Sequence, residues 1–281
     1  MTDLDFGMID EIWRYPVKSC SGEMVDRALI GTRGVDHDRS WAVVDRETGL
    51  VASAKHPRQW GSLLMIRSMV KADGSQVSVE LPDKRSGSTG DRSTLDHLLS
   101  DYLGRSVGLE PAAQIRNPTL ERTDPDPEAL TGSGELTLSE VTTGPLGSAS
   151  PPGTVFDFAP IHVLSTATLE LLDEAGGDRR RFRPNLVVDI DGPAFQENDW
   201  PGKQLLIGDE MILNVLIPSP RCVVPSLPQL GLARSVSTIR AVTSLNRIKL
   251  HDHGTFSCVG AYASVSRSGT VAVGTPATLV A

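Results

Sequence analysis

The sequence predicts a mainly β protein with a few helices, of the α+β class, and three observations lead to this prediction. Glycine and proline are frequent, with 26 and 19 residues among 281, and both are spread along the chain. The segments between them are mostly short and β-branched, which is typical of strands joined by turns. Two segments alone show apolar residues at helical spacing before a glycine, which predicts few helices.

The composition excludes several classes of partner. Lys and Arg number 27 against 35 Asp and Glu, and the resulting charge of −8 argues against non-specific binding of nucleic acid. No apolar run approaches the ~20 residues of a membrane span, and the acidic start lacks the basic and apolar parts of a signal peptide. We therefore expect a cytoplasmic protein with reduced thiols that binds neither nucleic acid nor membrane.

The first half of the chain is predicted to be rich in strands. Alternating or short apolar runs predict strands over Met8–Tyr15, Trp41–Asp45 and Ser75–Leu81. Apolar residues at helical spacing predict a helix over Leu95–Leu103, and Gly104 is a stop signal for it.

Between Glu121 and Gly153 the composition changes to Pro, Gly, Ser, Thr and acidic residues without apolar periodicity. Such a stretch predicts a linker or a long surface loop that is partly mobile. The chain is therefore divided into a first domain over residues 1–120, a linker or loop over 121–153 and a second domain over 154–281.

The second half is again predicted to be rich in strands around one helix. A Ser or Thr cap, the spacing of Leu169 and Leu172, and the pair Gly176-Gly177 predict a helix over Ser165–Ala175. Apolar runs predict strands over Pro160–Leu164, Arg183–Ile190, Gln204–Ile207, Met211–Ile217 and Thr270–Val273.

Two basic segments in the first half are candidates for holding an anion. Lys18 and Ser19 follow a predicted strand and precede a glycine, so an ammonium, a hydroxyl and backbone N–H groups can face one anion. Arg39 is a candidate phosphate clamp because a guanidinium grips oxyanions in a fork, and Lys55 is a second cation for the same anion. The alternatives are an ordinary strand end for Lys18 and a surface ion pair with Asp38 for Arg39.

Four arginines within residues 179–183 stand out in an acidic protein. They favour electrostatic attraction of an anionic small molecule over a polymeric partner. The alternative is a basic loop that complements the end of the preceding helix. Asn185 follows a proline at the head of a predicted strand, where its amide is placed to read the edge of a heterocycle or to cap a turn.

The three cysteines, Cys20, Cys222 and Cys258, do not make a disulfide framework. Cys222 follows Arg221 in a proline-flanked loop, and an adjacent cation favours the thiolate form of a cysteine, which ligates soft metals. A small buried core residue is the alternative for a lone cysteine. His251-Asp-His253 with Cys258 resembles half a zinc site without its other ligands, so a polar loop or helix end is preferred there.

Together these segments resemble the MOSC family, in which an N-terminal β-barrel domain precedes the domain found at the C-terminus of molybdenum-cofactor sulfurases. In the first half the matching motifs are YPVKSC at Tyr15–Cys20, DRSW at Asp38–Trp41 and AKHP at Ala54–Pro57. In the second half they are RFRPNLVVD at Arg181–Asp189, FQENDW at Phe195–Trp200, LLIG at Leu205–Gly208 and PRC at Pro220–Cys222. The resemblance implies an N-terminal β-barrel-like domain followed by a MOSC β-barrel domain.

The nearest functional comparison is with the amidoxime-reducing component and its bacterial relatives, which bind molybdenum cofactor. The resemblance implies that Cys222 is the sulfur ligand to molybdenum and that Arg221 is a second catalytic residue beside it. The cofactor-binding residues that we expect are Lys18, Ser19, Arg39, Lys55, Arg183 and Asn185. The resemblance implies pyridoxal phosphate binding only for the family as a whole.

The implied activity is an oxidoreductase reaction that reduces small N-hydroxylated or N-oxide compounds. The cofactor would supply the redox chemistry, while the protein positions and tunes it. Because the chain shows no four-cysteine set of the kind that holds an iron–sulfur cluster, we expect electrons from a separate reductase or ferredoxin-type protein.

Three positions depart from the reductase pattern. Val223–Gln229 replaces a hydroxyl-bearing segment after Cys222, Phe158 and Ala159 replace small hydroxyl residues, and Pro220 replaces a serine. The departures leave two alternatives open. One is a carrier of molybdenum cofactor or sulfur, with a persulfide on Cys222, and the other is a specialised MOSC enzyme of secondary metabolism with an altered pocket.

Overall fold

Strands make up 38% of the protein and helices 22%, which confirms the mainly β class. The computed structural model describes residues 5–147, 149–174, 177–250 and 254–280. The strands are β1 (Asp5–Arg14), β2 (Glu23–Val25), β3 (Arg27–Gly31), β4 (Gly34–Val35), β5 (Trp41–Asp45), β6 (Arg67–Val70), β7 (Val77–Glu80), β8 (Ser86–Ser88), β9 (Val107–Pro111), β10 (Thr119–Arg122), β11 (Thr142–Pro145), β12 (Ile161–Ser165), β13 (Leu186–Ile190), β14 (Gln204–Ile207), β15 (Met211–Pro220), β16 (Arg247–Lys249), β17 (Thr255–Arg267), β18 (Gly269–Ala272) and β19 (Pro276–Val280). The helices are α1 (Pro57–Trp60), α2 (Arg92–Leu103), α3 (Pro127–Thr131), α4 (Thr166–Glu174) and α5 (Val236–Leu245).

Seven strands close into a β-barrel, as predicted. They follow one another in the order β12, β13, β1, β19, β14, β15 and β17, and β17 pairs with β12 to complete the ring. The β12–β13 pair is parallel, because α4 carries the chain back across the barrel between the two strands. Buried aliphatic side chains such as Ile9, Ile12 and Leu213 fill the core, so apolar burial stabilises the closed form.

The first strand of the chain belongs to this barrel. β1 pairs antiparallel with β13, where Ile12 lies opposite Leu186, and with β19, where Gly7 lies opposite Ala277. Gly7 has to be small, because a Cβ atom there would lie 2.1 Å from the carbonyl oxygen of Asp189. The barrel wall therefore fixes the point at which the chain enters the first candidate segment.

A second core lies in the first half of the chain. β5 pairs with β9, while β6, β7 and β8 form a three-stranded sheet. Trp60, Leu63, Ile66 and Leu109 are buried between these sheets and α2. This core supports the turn that follows β1 and the segment that carries Lys55.

α2 shows how local sequence sets the bounds of a helix. The helix that was predicted over Leu95–Leu103 begins earlier, at Arg92, because the Asp91 side chain accepts a hydrogen bond from the Thr94 N–H at 3.1 Å. It ends at Gly104, which takes the left-handed conformation with φ +65°, as its stop signal predicts.

α4 is capped by side chains from two segments. The Ser165 hydroxyl accepts a hydrogen bond from the Thr168 N–H at 3.2 Å. The fully buried Glu197 carboxylate accepts from the Ser165 N–H at 2.7 Å and from the Thr168 hydroxyl at 2.8 Å. A carboxylate suits this position because the start of a helix carries partial positive charge. The helix predicted over Ser165–Ala175 is present up to Glu174, and Ala175 lies outside the described residues.

The composition change at residues 121–153 marks a stretch with few buried residues. It nonetheless contains the end of β10, all of α3 and all of β11. Leu136 is buried against the segment that follows Cys222. Arg240 of α5 donates hydrogen bonds to the carbonyl oxygens of Ala129 at 3.1 Å and of Gly134 at 2.5 Å. The stretch is thus attached to the second half.

Among the helices of the described residues, none combines the length and the apolar character that crossing a membrane requires. The three cysteines are free thiols, of which Cys20 and Cys258 are buried and Cys222 is partly exposed.

Candidate functional site

A cleft of about 670 Å³, including its open mouth, lies between the two halves of the chain. It gathers residues that are far apart in the sequence. The predicted site residues that line it are Lys18, Ser19, Arg39, Lys55, Arg183, Arg221 and Cys222. Asn185, which was predicted to contact the ligand, does not line the cleft and lies behind its wall at 1% exposure.

Lys18 and Lys55 meet at one carboxylate. The nearly buried Lys18 ammonium donates hydrogen bonds to the Val155 carbonyl oxygen at 2.8 Å and to Asp157 Oδ1 at 2.7 Å. Lys55 Nζ lies 3.3 Å from the same Asp157 oxygen. The two cations are therefore held in the cleft by Asp157, which comes from the loop before β12.

Burial and charge shift the pKa values of this group in different directions. Burial lowers the pKa of Lys18 to about 8, although the charge of Asp157 opposes the shift. Burial alone would also lower the pKa of Lys55, but the charge of Asp157 outweighs it and the pKa is raised. The two lysines hold the pKa of Asp157 below its usual range, although partial burial of the carboxylate opposes this shift.

Arg39 is set in a buried network. Asp38, which is 5% exposed, pairs with the Arg39 guanidinium and accepts hydrogen bonds from the Tyr15 N–H at 2.6 Å and the Asn185 amide at 3.0 Å. The Arg39 guanidinium lies 4.8 Å from the centre of the Tyr15 ring. The pair with Asp38 is therefore an internal one, and Asn185 acts by fixing Asp38 and Arg39.

Arg183 is the one arginine of the run 179–183 that lines the cleft. Arg179 pairs with Glu11, and Arg180 pairs with Asp178. The Arg183 guanidinium stacks 4.2 Å from the centre of the Tyr15 ring, and its buried Nη2 has no hydrogen-bond partner among the described residues. A buried, unpaired N–H donor of this kind is costly, so its position in a cleft points to an acceptor supplied by a ligand.

Three residues that line the cleft have left-handed backbone conformations. The φ angles are +63° at Ser19, +47° at Arg39 and +57° at Arg183. Non-glycine residues in this region cost roughly 1 kcal/mol or more each and persist where the surroundings hold them. Strain at three lining positions indicates that the direction of their side chains into the cleft matters more than local stability.

Cys222 follows the end of β15, next to an arginine that is tied down on both sides. Arg221 donates hydrogen bonds to the Ser219 hydroxyl and to the Phe182 carbonyl oxygen, both at 2.9 Å. Its own N–H donates to the Ser257 carbonyl oxygen at 2.9 Å. Cys222 is the only cysteine that lines the cleft, and its thiol is partly exposed there.

The other two cysteines are protected. Burial raises the pKa of Cys20 and of Cys258 to about 12, which makes both thiols poor nucleophiles. The residues His251 and His253, interpreted above as a polar loop, lie outside the described residues. Within the described ranges, no group of three or more His, Cys, Asp or Glu residues could hold a metal ion.

Sequence reasoning missed three titratable residues that line the cleft, which are Asp157, His162 and Tyr262. The buried His162 ring places Nε2 at 2.9 Å from the Val259 carbonyl oxygen and 5.5 Å, centre to centre, from the Tyr262 ring. Burial, together with the charge of Arg221, lowers the pKa of His162 to about 3, so the imidazole is neutral. A histidine inside the otherwise apolar run of β12 was the one available signal.

The arrangement suits an anionic ligand and places one possible ligand for a soft metal beside it. Five cations line the cleft against one carboxylate, although the chain as a whole has a charge of −8. Guanidinium and ammonium groups bind phosphate, and a partly exposed thiol can ligate metal. The unpaired Nη2 of Arg183 adds a donor that a ligand would satisfy.

Comparison with known proteins gives independent information on the family of this chain. The chain matches the MOSC N-terminal beta barrel domain over residues 6–104 and the MOSC domain over residues 151–278. It is 29% identical to mitochondrial amidoxime reducing component 2 of Rattus norvegicus over 96% of this chain and 82% of that protein. It is 26% identical to mitochondrial amidoxime-reducing component 1 of Homo sapiens over 98% of this chain and 83% of that protein.

Two further similarities are weaker. The molybdenum cofactor sulfurase of Drosophila grimshawi is 24% identical over 84% of this chain and 30% of that protein. Among solved structures, the YUAD protein from Bacillus subtilis matches with a TM-score of 0.44 at 10% identity, over 99% of this chain and 98% of that chain.

Proposed function

This chain belongs to the MOSC family, and on that premise we propose that it binds molybdenum cofactor in the cleft and reduces N-hydroxylated or N-oxide compounds. One observation carries the proposal. Cations from both halves of the chain and a single partly exposed thiol line the same cleft, where Arg183 keeps an unpaired buried donor.

In this proposal each lining residue has a separate task. Lys18, Lys55 and Arg39 hold the terminal phosphate of the cofactor, with Ser19 beside them, because buried cations bind an oxyanion strongly. Arg183 donates to the pterin side, and Asn185 acts on the cofactor through Arg39. Apart from Asn185, which was expected to bind the cofactor directly, these roles agree with those that the family resemblance implies.

Cys222 is the proposed protein ligand to molybdenum, and Arg221 is the cation beside it. When bound, the cofactor would supply the two-electron redox chemistry that converts an N–OH group and two protons into N–H and water. Arg221 is held by Ser219 and Phe182, so its guanidinium keeps its place in the wall of the cleft.

We further propose that the substrate is a small molecule, that a separate donor protein supplies the electrons and that the protein works in the cytoplasm. The relatives named amidoxime-reducing components support this reaction class.

A second candidate function is supported by the partly exposed Cys222 thiol and by the similarity to a molybdenum cofactor sulfurase. In it, Cys222 carries a persulfide and hands on sulfur. Mass spectrometry of the Cys222 peptide after incubation with a cysteine desulfurase and cysteine tests this function, since a persulfide adds one sulfur atom to that peptide alone.

Anaerobic reduction of an amidoxime by the purified, cofactor-loaded protein with a chemical electron donor tests the leading proposal. We expect turnover with the unaltered protein and background rates with Cys222→Ala. Arg180→Met is the matched control, because Arg180 pairs with Asp178 and does not line the cleft, and it should retain full turnover. Full activity of Cys222→Ala would overturn the proposal.

A further inference from the structure

The segment after Cys222, where the sequence departs from the family pattern, is a folded loop. We call residues 222–235 the Cys222 loop; it contains the 3-10 turn Val224–Ser226 and ends where α5 begins. The Ser235 N–H donates to the Ser226 carbonyl oxygen at 3.0 Å, which closes the loop on itself.

Arg181 reaches into this loop from another part of the chain. Its side chain is almost fully buried, at 4% exposure, and forms no ion pair among the described residues. Nη1 donates to the carbonyl oxygens of Pro225 and Leu227, both at 3.2 Å, and Nη2 donates to that of Ala233 at 2.6 Å. One planar guanidinium therefore holds three points of the same loop, an arrangement that a lysine cannot reproduce.

A second contact joins the same two segments on the other side of Cys222. Arg221 donates to the Phe182 carbonyl oxygen at 2.9 Å, so the segment 181–183 is bonded to the chain both before and after the thiol. Arg183, two residues beyond Arg181, turns into the cleft with φ +57°. The segment 181–183 thus joins a cleft arginine to both flanks of Cys222.

We propose that Arg181 is a positioning residue, which holds the Cys222 loop against the segment 181–183 and so fixes the Cys222 thiol relative to Arg183. The inference rests on the proposed function only where it gives Cys222 the role of a metal ligand. The contacts themselves belong to the cofactor-free protein.

The competing explanation is that apolar packing alone holds the loop. Val223, Val224 and Leu227 are buried in a cluster with Leu136 and Ile239, and this cluster would remain in an Arg181 variant. The two explanations predict different results for the loss of Arg181. If Arg181 positions the Cys222 loop, its loss loosens the loop locally. If apolar packing alone holds the loop, it stays in place.

Hydrogen exchange measured by mass spectrometry on the cofactor-free protein separates them. With Arg181→Met, three carbonyl oxygens lose their donor, so we expect amides of residues 223–235 to exchange about tenfold faster, a ratio that corresponds to about 1.4 kcal/mol. Arg181→Lys keeps the charge but not the fork, and should give an intermediate increase. Arg180→Met is the matched control and should leave these amides unchanged.

Labelling with a thiol reagent supplies the second readout. Because Cys20 and Cys258 are buried, the labelling rate reports Cys222. The rate should change most in Arg181→Met, less in Arg181→Lys and not at all in Arg180→Met. Exchange and labelling that match those of Arg180→Met would overturn the proposal, and so would faster exchange spread evenly over the chain. If Arg181→Met does not fold, Arg181→Lys decides by the same comparison. Since no cofactor is involved, a failure of this test is distinct from a failure to bind molybdenum.

Discussion

The basic cluster of the cleft and the Cys222 loop are stabilised by different interactions. The basic cluster consists of Lys18, Arg39, Lys55 and Asp157, in which both lysines pair with Asp157 and Arg39 pairs with the neighbouring Asp38. In the Cys222 loop, backbone carbonyl oxygens are bound by Arg181, and apolar side chains pack beneath them. The comparison indicates that charged pairs organise the first region, whereas hydrogen bonds to backbone carbonyl oxygens and apolar packing hold the second.

Shortening Leu227 should break the loop without affecting the basic cluster. Leu227 is buried in the apolar cluster below the loop, and Leu227→Ala should lower the free energy of unfolding by about 2–3 kcal/mol. Chemical denaturation measures this loss, which we expect to be the same at low and high salt. Weaker binding of sulfate to the variant would contradict the separation of the two regions.

Replacing Lys18 should weaken sulfate binding without lowering the free energy of unfolding. Loss of the ammonium removes a charged hydrogen-bond donor, so Lys18→Met should bind sulfate about 10- to 100-fold more weakly by calorimetry. The lowered pKa of Lys18 shows that its charge is unfavourable in the folded state, so the variant should be as stable as the unaltered protein or more stable. A destabilised Lys18→Met protein with normal sulfate affinity would show that Lys18 is structural.

The pH dependence of sulfate binding sharpens this contrast. The pKa of Lys18 is about 8 in the folded protein, below its ordinary value of 10.5, so the ammonium is lost as pH rises through 8. Sulfate does not titrate in this range, and its affinity should fall by at most about tenfold per pH unit above 8. The unfolded chain keeps the proton up to about pH 10.5, so folding stability attributable to Lys18 rises over the same interval. Lys18→Met should lack this dependence on pH.

Removing the charge of Asp157 should have the smallest effect. Asp157 lies between two lysines, but its side chain is 39% exposed, so solvent screens its charge. Asp157→Asn should bind sulfate a few-fold more tightly at low salt, and the gain should shrink as salt is added. A loss of affinity would instead assign Asp157 the role of holding the two lysines in place.

Local sequence predicted those parts of the fold that depend on local interactions. β5 and β14 have the predicted bounds, and α2 ends at the predicted glycine. α5 was missed because half of the ten residues in Val236–Leu245 are Val, Ile or Thr, which lower helix propensity. The place of β1 in the barrel depends on pairing with strands more than 170 residues away, which no local pattern reports.

In the candidate site, too, the sequence predicted the residues that lie in recognisable local segments. Motifs indicated Lys18, Arg39 and Cys222, because each lies in a short segment that resembles the family. Asp157 and Tyr262 come to the cleft only when the barrel closes, so no local signal marked them. The arginine run was interpreted as one electrostatic feature, but in the folded protein its four members have four different partners or surroundings.

The molybdenum and pterin content of the purified protein tests the central claim most directly. The protein should be produced in a host that makes the cofactor, beside Cys222→Ala and the Arg180→Met control. We predict about one molybdenum and one pterin per chain for the unaltered protein and the control, and loss of molybdenum from Cys222→Ala. Unaltered protein that carries neither molybdenum nor pterin, from a host in which a known molybdenum enzyme is loaded, would contradict the account.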